Sequence, residues 1–294
     1  MARPMNQIRV ARCRSLSLGL MLRRRLLRWV LAARPAVHAA PFAVLPGDTV
    51  SEEVLVAGVY EAILLEALFD GLLADRRETF LRGAAVDVGA NIGNHSLFFL
   101  PRFAAVHAFE PNPPAVALLR CNASLAGANH LHVHAYGLGD RNGQLPFSDN
   151  TEGNLGASGF GFAGVQGGQA RLCELRRGDD VVPQALQGLP LALLKIDVEG
   201  AELAVLQGLG ETVARERPVV VFESNRAGGT AGGERVIAWL QAQGYRDVHT
   251  VEDESAGVSP ARRLAQRLLH GERTQIAQLG ALEDRPYPML VALP

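Results

Sequence analysis

Among the 29 basic residues of this 294-residue chain there is a single lysine, Lys195. Arginine is the default cation, and one position escapes that bias. Cysteine is almost as scarce. Cys13, Cys121 and Cys173 are far apart and odd in number, and no C-x-x-C pair occurs. That spacing argues against a disulfide framework and a zinc-ligand set, and reads as reduced thiols in a cytosol. Acidic residues are missing from residues 1–47, which carry nine arginines. The remaining 20 basic side chains face 30 acidic ones, so a basic arm precedes an acidic body. Long apolar runs are missing too: SLSLGLML stops at Arg23-Arg24-Arg25, far short of the roughly 20 residues that span a bilayer. The same arginines interrupt the apolar core that a secretory signal requires.

The arm has three readings. It fits a basic amphipathic helix on an anionic membrane face, with Leu26, Leu27, Trp29, Val30 and Leu31 turned inward. It fits equally a disordered basic tail, or a reading frame whose true start is Met5 or Met21. The expected location is therefore the cytoplasm, with peripheral contact at the inner membrane face left open. Outside the arm the chain is acidic and lacks aromatic-basic clusters, which makes nucleic acid a poor partner.

With 48% hydrophobic and 20% charged residues over its 294 positions, the chain can bury one sizeable core, expected within positions 48–294. Residues 54–73 carry helical periodicity and a Gly-Val-Tyr-Glu start. Apolar strand candidates then recur at 84–88, 104–109, 132–136, 192–196 and 219–222, with late ones near 247–251 and 289–293. Helices fit 96–100, 113–126, 201–209 and 234–243. The alternation predicts an α/β fold: a doubly wound, mostly parallel seven-stranded sheet with helices on both faces and ligands at the carboxyl ends of its strands. Residues 148–169 are Gly-rich with Phe160 and Phe162, as a lid or a surface excursion would be. Residues 255–281 look like an inserted basic helix.

The stretch from Ala85 to Pro111, AVDVGANIGNHSLFFLPRFAAVHAFEP, joins two of these strands. The first ends in a loop whose small residues let backbone amides approach a ligand. The spacing is D-x-G-x-x-x-G over Asp87, Gly89 and Gly93, not the G-x-G-x-x-G that seats a pyrophosphate. A carboxylate at Asp87 would repel a pyrophosphate and attract an ammonium or a sulfonium. Glu110, at the tip of the second strand, is placed to accept from both ribose hydroxyls of an adenosine. These residues favour S-adenosylmethionine over a dinucleotide. Asn91 gives the loop a polar inner face, and Asn112 reads better as a helix cap.

AVDVGANIG, HAFEPNP, YGLGD, LLKIDVEGAELAVLQG and VVVFE occur in this order between about Gly58 and Tyr245. Together they resemble the FkbM-type family of S-adenosylmethionine-dependent methyltransferases. That resemblance implies a class I, Rossmann-like methyltransferase fold and O-methylation of a sugar, a glycan or a polyketide-like natural product. It also implies that Asp140, which could instead hold a turn with Asn142 and Gly143, faces the adenine amino group.

Chemistry is expected around KIDVEGAE. Lys195, Asp197 and Glu199 alternate at a strand end, so period-two geometry sends them to one side. Lys195 either neutralises these carboxylates or holds an acceptor oxygen, and a structural ion pair explains it equally well. An in-line displacement needs the acceptor aligned and its proton removed. Asp197, Glu199, Glu223 and, further off, His249 are candidates for that pocket. Mg²⁺ held by two or three of these oxygens is a minority reading, and acids opening a helix would look the same. Of the histidines only His95 lies near the cofactor loop; His107, His132 and His134 read as core or edge residues. The competing classes are a nicotinamide-dependent oxidoreductase on a similar sheet and a nucleic-acid methyltransferase or binding module.

Overall fold

Ala84–Val88 (β1) and Leu191–Ile196 (β8) are buried at every position, as befits central parallel strands covered on both faces. The computed structural model describes residues 18–33, 41–148, 159–160, 170–224, 229–254 and 273–294. Its helices are α1 (Leu18–Ala33), α2 (Thr49–Ala57), α3 (Ala62–Glu66), α4 (Arg77–Arg82), α5 (Asn94–Phe99), α6 (Pro113–Leu125), α7 (Gly178–Leu186), α8 (Glu202–Gly208), α9 (Gly210–Glu216) and α10 (Gly229–Ala242). The other strands are β2 (Ala105–Phe109), β3 (Leu131–His134), β4 (Gly137–Gly139), β5 (Gly143–Ser148), β6 (Gly159–Phe160), β7 (Ala170–Arg177), β9 (Val219–Ser224), β10 (Asp247–Asp253), β11 (Thr274–Gln278) and β12 (Tyr287–Leu293).

The main sheet runs β11-β10-β12-β9-β8-β1-β2-β3. From β3 to β9 all neighbours are parallel, while β12 is antiparallel to both β9 and β10. The chain winds outward from β1 through β2 and β3, then resumes on the other side at β8 and β9. The carboxyl ends of β1 and β8 therefore flank the switch point, where such folds bind ligands. Alternation along the strands feeds two cores. Val86, Leu194 and Val220 pack with Val205, Leu206 and Leu209; Ala85, Leu193 and Val221 pack with Leu65, Leu68, Phe69 and Phe99.

Two expectations are corrected. The sheet has eight strands, not seven, because Thr274–Gln278, assigned to the helical insertion, pairs antiparallel with β10. The rest of that insertion lies largely outside the described residues. The one sheet expected is joined by a second, four-stranded sheet ordered β4-β7-β5-β6, to which Gly137–Gly139, just after the third strand, belongs. Gly208 of α8 lets that sheet approach: a Cβ there would stand 1.7 Å from the Gly139 carbonyl oxygen. Of the Gly-rich stretch 148–169, Ser148 closes β5 and residues 159–160 form β6; Phe162 and the remainder fall outside the described residues. The periodic stretch 54–73 is α2, α3 and a π-helical turn over Ala67–Leu72, whose Phe69 packs against Phe80, Phe98, Phe99 and Phe103.

Candidate active site

Asp87 and Lys195 are register partners on β1 and β8, so the fold sets them side by side. Lys195 Nζ lies 3.0 Å from Asp87 Oδ1 and 3.4 Å from Asp197 Oδ2, and donates to the Gly89 carbonyl at 3.3 Å. Ser96 Oγ donates to the other Asp87 oxygen at 2.6 Å. Burial by itself depresses the Lys195 ammonium, but Asp87 and Asp197 together outweigh it and hold its pKa above the usual lysine value. Asp87 is fully buried, so its carboxylate acts from beneath the glycine loop and does not open onto the cleft. Lys195 thus bridges Asp87 and Asp197.

Gly89 makes this crossing possible. Its φ is +77°, and a Cβ there would meet the Asp197 carbonyl oxygen at 1.8 Å. The Gly89 and Ala90 amides donate to Phe109 O, which ties the loop to β2. Beside it, Glu110 accepts from the Asn91 amide at 2.9 Å and the Asn112 amide at 2.8 Å. Burial raises its pKa to about 7, against the pull of the amides of Asn112 and Asn91 and of Lys195. A carboxylate keeps two further acceptor positions beyond these bonds. Asn91 Oδ1 and both polar atoms of Asn112 are buried and make no hydrogen bond among the described residues. Each such group costs about 1–3 kcal/mol unless something bonds it. Gly93, with φ +93° and Leu119 against it, starts α5 below them.

The chemistry side begins where β8 ends. The strand stops at Ile196, so Asp197 and Glu199 stand in the turn after it, with Glu199 at φ +51° and Gly200 at +93°. Asp197 is a third exposed. Its burial raises its pKa, but Lys195, Glu223 and His95 more than reverse this and leave it below the usual carboxylate range. Glu223, at the end of β9, is pushed up to about 9 by burial, by the Asp197 charge, by its hydrogen bond to Asp197 and by Glu61 and Glu199. At neutral pH Glu223 is therefore a neutral donor to an ionised Asp197. Among the described residues no group of three or more His, Cys, Asp or Glu side chains is arranged to hold a metal.

Of the far wall, sequence reasoning picked out only His95 and missed Tyr60 and Glu61. Tyr60, Glu61 and His95 line one pocket with Lys195, Asp197, Glu223 and Met289. His95 Nε2 is 3.3 Å from Glu61 Oε2, and its ring stacks on Phe99. Asn94 clamps the Tyr60 backbone at both its N–H and its C=O, fastening the segment before α3 to the start of α5. Burial, then Glu61, Glu223 and Asp197, hold the Tyr60 phenol well above its usual range. The available signal was the Gly-Val-Tyr-Glu start, read only as a helix opening. Asp140 and His249 are not among the residues that line this pocket. Asp140 is exposed beyond β4, where the Gly139–Asp140 backbone packs on Gly208, and none of the described hydrogen bonds ties it to Glu110 or Asn91. His249 lies within β10, not after it, paired with Val291 and Gln278 and separated from β9 by β12. His107, His132 and His134 stack along β2 and β3.

Residues 87–246, from the buried Asp87 to just past Tyr245, match the Methyltransferase FkbM domain. The chain belongs to the FkbM methyltransferase family. The chain is 31% identical over 135 residues to the hexuronic acid methyltransferase AglP of Haloferax volcanii, covering 46% of this chain and 53% of that one. It is 34% identical over 155 residues to the methyltransferase sdnD of Sordaria araneosa, covering 43% and 60%. The chain thus spans between half and two thirds of the length of these two relatives. A methyltransferase FkbM from Methylobacillus flagellatus aligns structurally over 93% of this chain and 60% of its own, at 15% identity and a TM-score of 0.45. No helix among the described residues is long and apolar enough to cross a membrane.

Proposed function

We propose that this FkbM domain binds S-adenosylmethionine and transfers its methyl group to a hydroxyl oxygen of a sugar, glycan or natural-product acceptor. The observation that carries the reading is the group of unpartnered buried polar atoms on Asn91 and Asn112, gathered around Glu110 at the ends of β1 and β2. An adenosine offers the ribose hydroxyls and ring nitrogens that would satisfy them. The bound cofactor supplies an electrophilic methyl carbon on a sulfonium. Asp87 and Lys195 hold the loop beneath it, and Gly89 lets that loop cross Asp197. Asp197 then accepts the acceptor's hydroxyl hydrogen bond. As the oxygen attacks it loses its basicity, so its proton passes to Asp197 although Lys195 keeps that carboxylate's pKa low. Glu223 fixes Asp197 by donating to it. The name of the Haloferax relative favours a sugar acid among acceptors.

Equilibrium binding separates this from a nicotinamide enzyme. S-adenosylhomocysteine should bind at least about a hundredfold more tightly than NAD, for want of a pyrophosphate loop. Tight NAD binding without the thioether would overturn the reading. Glu110 gives a second prediction. Ribose hydroxyls donate to its ionised form, and that fraction rises as pH passes about 7. Affinity for S-adenosylhomocysteine should therefore climb roughly tenfold from pH 6 to pH 8. Glu110→Gln should weaken binding by about 10- to 100-fold and flatten that profile; calorimetry showing the same slope in both proteins would remove Glu110 from the ribose.

A further inference from the structure

The arm contains a feature that methyl transfer does not use. Helix α1 carries six of the eleven large apolar side chains that stand exposed among the described residues: Leu20, Met21, Leu22, Leu26, Leu27 and Trp29. Leu22, Leu26 and Trp29 recur at i, i+4 and i+7, so they form one stripe, each more than half exposed. Between and beside them Arg23, Arg24, Arg25 and Arg28 are all exposed, and no acidic residue occurs in the first 47 positions. The helix is 16 residues long, about 24 Å, and is too short and too charged to cross a bilayer.

We propose that α1 lies in the headgroup region of an anionic phospholipid bilayer, its Leu22–Leu26–Trp29 stripe toward the acyl chains and its arginines on the lipid phosphates. Charge complementarity selects this occupant. The arginines match a surface of phosphate groups, and an indole at the rim of an apolar stripe suits the boundary between water and hydrocarbon. Nucleic acid would engage the arginines yet leave Leu22, Leu26 and Trp29 in water. The proposal is independent of the methyltransferase reading.

Vesicle sedimentation of the full chain tests it. Phosphatidylglycerol vesicles should bind at least about tenfold more protein than phosphatidylcholine vesicles at low salt, and high salt should reduce this. Tryptophan emission should shift to the blue on binding, and Trp29→Phe should abolish the shift, since the other tryptophan, Trp239, packs against the core. The triple variant Leu22→Ser, Leu26→Ser, Trp29→Ser should lose at least about tenfold in vesicle binding. Its thermal midpoint should stay unchanged, which distinguishes lost docking from lost folding. Equal binding to both vesicle types would overturn the proposal. So would tight binding to polyuridylate without a blue shift, which would assign the arm to nucleic acid. Self-association that the triple variant abolishes, without vesicle binding, would assign it to a second copy.

Discussion

Lys195→Met should lower the thermal midpoint by roughly 10 °C, the largest stability loss expected of any single polar substitution in the site. The ammonium sits among three acceptors, Asp87 Oδ1, Asp197 Oδ2 and the Gly89 carbonyl, and it has three N–H donors to give them. Removing it leaves Asp87 charged and fully buried without its cation. Breaking a buried pair on one side costs about 3–5 kcal/mol, and each kcal/mol moves a domain of this size by about 2–4 °C. The double variant with Asp87→Asn should recover part of the loss, because the orphaned charge is gone. Lys195→Arg should not recover it, since a planar fork cannot point donors at three acceptors arranged around one atom. A melting curve within about 2 °C of the parent for Lys195→Met would show that the ion pair contributes little. This geometry gives a physical reason for one lysine in a chain that otherwise uses arginine.

Asp197→Asn should leave S-adenosylhomocysteine binding within about threefold while transfer falls by roughly 1,000-fold. The amide keeps the size of the carboxylate and loses its ability to take a proton. Asp197 is the ionised member of its pair and is open to the cleft, whereas Glu223 is neutral near pH 7 and already bonded to it. Glu223→Gln, which can still donate, should cost far less. The measurement needs labelled S-adenosylmethionine and whichever hydroxyl acceptor a screen of sugars, uronic acids and natural products yields with the parent protein. If Asp197→Asn retains a tenth or more of the rate, the proton leaves by another route. His95, backed by Glu61 across the same pocket, is then the group to substitute.

Much of the framework was legible because it rests on local rules. The apolar runs at 84–88, 192–196 and 219–222 lie in buried strands, and Gly89 and Gly93 are glycines for a reason visible in their φ angles. Glu110 could be assigned to the tip of the second strand from the run preceding it. Period two reaches as far as Asp197, which meets Lys195 at 3.4 Å, whereas Glu199 lies in the turn beyond the strand at φ +51°, where strand alternation no longer applies. Thr274–Gln278 was misread because a short strand of mixed polarity at a sheet edge carries no distinctive period.

The sequence by itself determined the parallel strands of the main sheet and the helices that follow them, the D-x-G-x-x-x-G loop and the charge pattern of residues 195–199, all set by neighbours a few positions apart. Only the tertiary structure decided what those residues face. Lys195 meets Asp87 across 108 positions, Asn94 holds Tyr60, and His95 meets Glu61 in a pocket that also contains Glu223. Such encounters depend on strand register and helix docking, which close loops of tens to hundreds of residues and leave no periodic trace along the chain. The pKa values of Glu110 and Glu223 follow from that burial, and so does the division between a carboxylate that can take a proton and one that already holds it.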